Sequence, residues 1–196
     1  MCEPEVVTAE PTSSSAPASW GAPRSRTVEW HDPMITAAGA LERSGLETMQ
    51  AIRDGVLPPP PIARLVQMGI TALEQGRVEF TCELDESVYN PIGVVHGGLV
   101  CTLLDTVAGC AVHTTLPAGV AYTSIELKVS YLRAVHATSG PLIAIGRVVK
   151  PGSRVAFAEG EVLERLGEDG GDGVELAAGL PGPGRLSPRG AAGAGG

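Results

Sequence analysis

Between Asn90 and Asp105 the chain reads NPIGVVHGGLVCTLLD, and this run holds most of its candidate chemistry. A turn-prone Asn-Pro leads to His96-Gly97-Gly98, then to an apolar stretch with one carboxylate, Asp105. The pattern predicts a helix starting near Gly98 with Asp105 two turns inside. The first N–H groups of a helix have no intrahelical acceptor, and the aligned peptide dipoles add partial positive charge. Glycines at 97 and 98 keep side chains out of the way. Such a cradle suits a developing oxyanion, for example the carbonyl oxygen of a thioester under attack. Asn90 can donate a side-chain hydrogen bond to the same oxygen. An acid inside an apolar helix is costly to bury and needs a reason.

Distance constrains that reason. Gly97 and Asp105 are eight residues apart, so at about 1.5 Å per residue they lie roughly 12 Å apart along a helix axis. A base or nucleophile works within about 3 Å of its target. Asp105 therefore cannot serve the cradle of its own helix. Two antiparallel helices related by a two-fold axis would bring Asp105 of one chain to Gly97 of another. An enzyme built this way is an obligate dimer with shared sites.

On a 3.6-residue wheel Leu99, Val100, Leu103, Leu104, Val107 and Ala111 make one broad apolar face, which a sheet should cover. Gly98, Cys101, Asp105, Ala108 and Gly109 fall on another side, small except for the acid. Something is meant to come close there, and the carboxylate is presented to it.

The elements around this helix follow from local signals. Residues 1–27 have no apolar period and are expected to be disordered. Asp32-Pro33 can start a helix, and Ser44-Gly45-Leu46-Glu47 fits a capping box that opens a second. Leu46, Met49 and Ile52 are expected to line one face of it, with Gly55 at its end. Pro58 to Pro61 read as a stiff extended spacer, so that 28–61 form a helical arm. Met68–Leu73 and Arg77–Leu84 predict a hairpin, as do Leu142–Lys150 and Ser153–Leu163 around Pro151-Gly152. Ala121–Leu132 alternates apolar and polar residues and is expected to be the clearest strand. The fold class is α+β, an antiparallel sheet wrapped around a long central helix over residues 62–165. Residues 167–196 hold 11 glycines and three prolines, so 166–196 are expected to be a disordered tail.

Composition excludes several roles. A net charge of −8 argues against a nucleic-acid binder, which would show a basic patch. Cys2, Cys82, Cys101 and Cys110 lack metal-finger spacing and read as reduced thiols of a cytoplasmic protein. The longest apolar run, Leu99 to Val112, contains Asp105 and is too short to span a bilayer. No metal, cofactor or membrane partner is expected. His113 is expected to act as a cation at the helix C-terminus, and Cys101 as a packed thiol.

The motif of Asn90, His96-Gly97-Gly98 and Asp105, followed by TSIELKVSYLR from Thr123 to Arg133, resembles the hotdog-fold acyl-CoA thioesterases of the PaaI-like group. The resemblance covers roughly residues 62–165. It implies cofactor-free hydrolysis of an acyl-CoA thioester by a homodimer or dimer of dimers. By that resemblance Asp105 is the base or nucleophile, the Gly97 N–H polarises the carbonyl, Asn90 assists and His96 shapes the loop. Gly98, Thr123 and Ser124 are implied in substrate binding, with Ser124 helping to place the attacking water. It also implies a last strand near residues 170–182, where the Gly-rich composition leaves the strand incomplete. A non-catalytic acyl-CoA-binding protein is the alternative, and a hotdog hydratase or dehydratase ranks below it.

Overall fold

The computed structural model describes residues 17–136 and 139–164, and the backbone of 175–178. Its centre is a 17-residue helix, α4, over Gly97–His113 (α1 to α3 precede it in the arm). The six residues predicted for its apolar face are its buried ones: Leu99, Val100, Leu103, Leu104, Val107 and Ala111. That face packs on a five-stranded antiparallel sheet whose strands follow chain order. They are β1 (Met68–Glu74), β2 (Arg77–Cys82), β3 (Leu142–Lys150), β4 (Phe157–Glu164) and β5 (Glu175–Ala178).

Both hairpins form where the sequence puts them, β1 with β2 around Gln75-Gly76 and β3 with β4. In the first turn Gly76 takes φ +80°, a left-handed conformation suited to glycine. Strand β3 is seated directly on α4: a Cβ on Gly146 would lie 2.1 Å from the Val107 carbonyl oxygen. Val78, Leu142 and Val162 add fully buried side chains from the sheet to those of the helix.

The arm also follows its signals. Helix α1 (Pro33–Ala40) is capped by Asp32, whose side chain accepts the Met34 N–H at 2.9 Å. Helix α2 (Gly45–Arg53) opens with the expected capping box between Ser44 and Glu47. Its buried face is Gly45, Thr48, Met49 and Ala51, so Leu46 stands only half-buried at the side. The reason is close packing, since Gly45 abuts the last turn of α4 where any side chain would meet the His113 carbonyl. The proline spacer is shorter than expected: Pro61 is the first residue of α3 (Pro61–Leu65), where its missing N–H costs nothing.

Three expectations are corrected. Residues 1–16 lie outside the described residues, but 17–27 are placed: Arg24 pairs with Glu86, and Arg26 donates to the Leu65 carbonyl at 2.9 Å. The expected tail, 166–196, also lies outside them except for β5, which pairs with β4 from Gly160↔Ala178 to Leu163↔Glu175. That strand falls within the 170–182 window and is four residues long.

Ala121–Leu132 is not a strand. It runs extended along α4, largely exposed and without ladder partners. Alternation reports which side chains could share a face, but a strand exists only where another backbone accepts its hydrogen bonds. In the single chain this segment has side-chain contacts with the helix instead.

Candidate functional site

The start of α4 is assembled by a short loop. Tyr89 bridges to Val95, and the His96 N–H donates to the Val88 carbonyl at 2.8 Å. Within the turn between them the Asn90 N–H donates to the Val94 carbonyl at 2.9 Å. The Asn90 Oδ1 accepts the Ile92 N–H at 3.0 Å, so its –NH2 is the end able to donate outward.

His96 is the N-cap. Its Nδ1 accepts the Gly98 N–H at 2.9 Å, the N-cap bond of the helix. It also divides the two glycines. The Gly98 amide is used internally, while the Gly97 amide has no partner among the described residues. A cavity of about 430 Å³ opens here, lined by His96, Gly97, Gly98, Tyr131 and Arg133 among others. Asn90 does not line it.

The segment 121–131 lies over the other end of the same helix face. Ser124 Oγ donates to Asp105 Oδ1 at 2.6 Å. Tyr122 covers Gly109, where a Cβ would come within 2.7 Å of its ring. Tyr131 crosses the first turn: its hydroxyl donates to the Gly97 carbonyl at 3.0 Å and lies 2.8 Å from Cys101 Sγ. The small residues of α4 thus admit two tyrosines from the chain itself. Asp105 is exposed in this single chain, so the burial cost expected from the sequence is not incurred here. Thr123, the expected neighbour of Ser124, is exposed with no contact recorded to Asp105.

Tyr131 is the participant that sequence reasoning did not single out. Its signal was its place seven residues after Ser124, at the far end of the segment that resembles the family motif.

The remaining ionisable groups are structural. Hydrogen bonding to Cys101 raises the Tyr131 phenol above its usual value. Burial pushes the Cys82 thiol up to about 11 and the Cys110 thiol up to about 12, so both stay protonated and unreactive. His113 departs from expectation. Burial lowers its pKa and favours the neutral ring, which packs at 5.5 Å from Tyr122 rather than serving as a cation. Among the described residues no group of three His, Cys, Asp or Glu side chains could hold a metal, and no helix is long and apolar enough to cross a membrane.

Comparison with known proteins places this geometry. Residues 92–168, from the Asn90 loop through α4 to β4, match the family model of the thioesterase superfamily. A candidate thioesterase related to phenylacetic acid degradation, from Ralstonia eutropha, has a similar structure. It shows a TM-score of 0.57 and 28% identity over 67% of this chain and 96% of that one. Over these residues the chain is similar to the thioesterase superfamily, and its α+β architecture is the hotdog fold of such proteins.

Two further proteins are similar to different extents. A candidate esterase of Halobacterium salinarum is 43% identical over 89 residues, which is 44% of this chain and 57% of the relative. The chain therefore spans little more than half of that relative's length. The E. coli PaaI protein from the phenylacetic acid degradation operon shares the fold at a TM-score of 0.55 and 20% identity. That match covers 71% of this chain and 92% of PaaI.

Proposed function

We propose that the protein hydrolyses acyl-CoA thioesters to a free acid and CoA. The observation that carries this reading is the 2.6 Å hydrogen bond from Ser124 Oγ to Asp105 Oδ1 on the exposed side of α4. It holds a carboxylate towards solvent with its second oxygen available for a water molecule. Asp105 takes a proton from that water as its oxygen adds to the thioester carbonyl. The tetrahedral oxyanion is held by the Gly97 N–H and the helix dipole, with the Asn90 –NH2 assisting. The C–S bond then breaks, and the thiolate takes up the proton. Gly98, Thr123 and Ser124 flank the bound thioester.

The two halves must come from different chains. The unbroken run of α4 from Gly97 to His113 keeps Asp105 about 12 Å from the Gly97 amide along one axis. A homodimer, alone or paired into a tetramer, joins each Asp105 to its partner's cradle. The unpaired segment 121–132 supports association, because Ile125 is 77% exposed and Leu132 60% on an extended backbone.

The deciding measurement is release of free thiol from acyl-CoA. Asp105→Asn should cut kcat by about 10²- to 10⁴-fold in a protein that remains folded. Undiminished turnover in that variant defeats the mechanism, and tight binding without turnover in the parent favours the non-catalytic alternative.

A further inference from the structure

The helical arm encloses space that the hydrolytic site does not account for. Residues 26–31, α2, the start of α3 and β1 surround a cavity of about 1120 Å³, larger than most small-molecule pockets. Its floor is apolar, built from Met49, Ile52, Ile62, Met68, Ile70 and Phe80. Its polar groups include Glu29, Arg53 and Arg64 from the arm, with Gln67 before β1 and Thr106 on α4. The inner end reaches α4 at Thr106, which directly follows Asp105, and at Cys110, one turn further on. The cavity therefore ends against the helical turns that carry the carboxylate.

A strap closes it from outside. Arg24 pairs with Glu86 and Arg26 with Asp85 at one end of residues 24–31. At the other end α1 is tied down by Thr36 Oγ1, which donates to the Pro58 carbonyl at 2.6 Å.

We infer that this cavity receives the acyl chain of the substrate, and that the substrate class is acyl-CoA with a long apolar chain rather than an acetyl- or phenylacetyl-sized group. This rests on the hydrolytic reading for the position of the thioester. The chain enters past Thr106 and Cys110 and lies along the wall formed by α2 and β1. The smaller cavity at Gly97 is left to the thioester and the CoA arm. The chain carries no charge, which matches a floor without ionisable groups, and each added methylene should raise kcat/KM about three- to fourfold until the cavity is filled.

Gly69 on β1 gives a direct test. It lines the cavity, and a Cβ there would meet no atom within 4 Å, so a larger side chain can be placed at the cavity wall without disturbing the strand. Hydrolysis of acetyl-, phenylacetyl-, octanoyl- and palmitoyl-CoA is compared in the full-length parent and in Gly69→Phe. The parent should prefer the longer chains, and the palmitoyl-to-acetyl ratio of kcat/KM should fall about tenfold or more in Gly69→Phe. Ile62→Glu, at a half-exposed position of the floor, should lower the same ratio and covers the case in which Gly69→Phe fails to fold. An equal or falling rate with chain length in the parent, or an unchanged ratio in a folded variant, overturns the inference. If no thioester is hydrolysed, the hydrolytic reading fails, and calorimetric binding of palmitoyl-CoA decides the cavity separately. Binding weakened about tenfold by Gly69→Phe supports the cavity, and equal binding overturns it.

Discussion

Ser124 and Asp105 are 19 residues apart in the chain and 2.6 Å apart in the fold, joined by a hydrogen bond from hydroxyl to carboxylate. The bond leaves α4 intact and orients the acid from the segment beside it. In the proposed reaction Ser124 positions the base. Ser124→Ala should lower kcat about tenfold, the scale of one hydrogen bond to a charged group, while KM changes less. Ser124→Thr keeps the hydroxyl and should recover most of the loss. Steady-state kinetics of thiol release checks both.

Tyr131 holds the first turn of α4 through Gly97 and Cys101. Tyr131→Phe removes both contacts and should cost about 1 kcal/mol in urea unfolding. It also uncovers the Cys101 sulfur, so alkylation by iodoacetamide should be faster at Cys101. Cys110, whose thiol is pushed up to about 12 by burial, should remain unreactive in the same digest.

At Gly146 the sheet lies tight against the helix, where an added Cβ would lie 2.1 Å from the Val107 carbonyl oxygen. Two backbones meet there, and neither can yield cheaply. Gly146→Ala should destabilise the fold by about 3 kcal/mol or more, read as a lower urea midpoint. Gly69→Ala, on the same sheet but facing open space, should be close to neutral.

His113 gives stability a pH dependence. Burial lowers its folded pKa below the ordinary 6.5, so at mildly acidic pH the unfolded chain binds a proton that the folded chain does not. The stability present above 6.5 is lost as the pH falls through that value towards the lowered one. Titrating the urea midpoint should show this slope in the parent and a flatter one in His113→Phe.

Much of the architecture was legible because it depends on local rules. The Ser44–Glu47 capping box, Pro33 behind Asp32, the hairpin turn at Gly76 and the six-residue core face of α4 each follow from a few neighbouring residues. The candidate cradle was legible in the same way, since a His-Gly-Gly at a helix start is a local feature. The segment 121–132 was misread because its alternation is local while its hydrogen-bond partners are not.

The sequence by itself determined which residues could act: Asn90, Gly97 and Asp105 follow from residue type, turn chemistry and the fixed rise of a helix. Only the tertiary structure decided how they are held. It brought Ser124 to Asp105 and Tyr131 to Gly97. The physical reason is separation along the chain. Helix periodicity and capping act over a few residues, whereas these contacts span up to 34 residues and exist only once the segment after α4 has folded back along it.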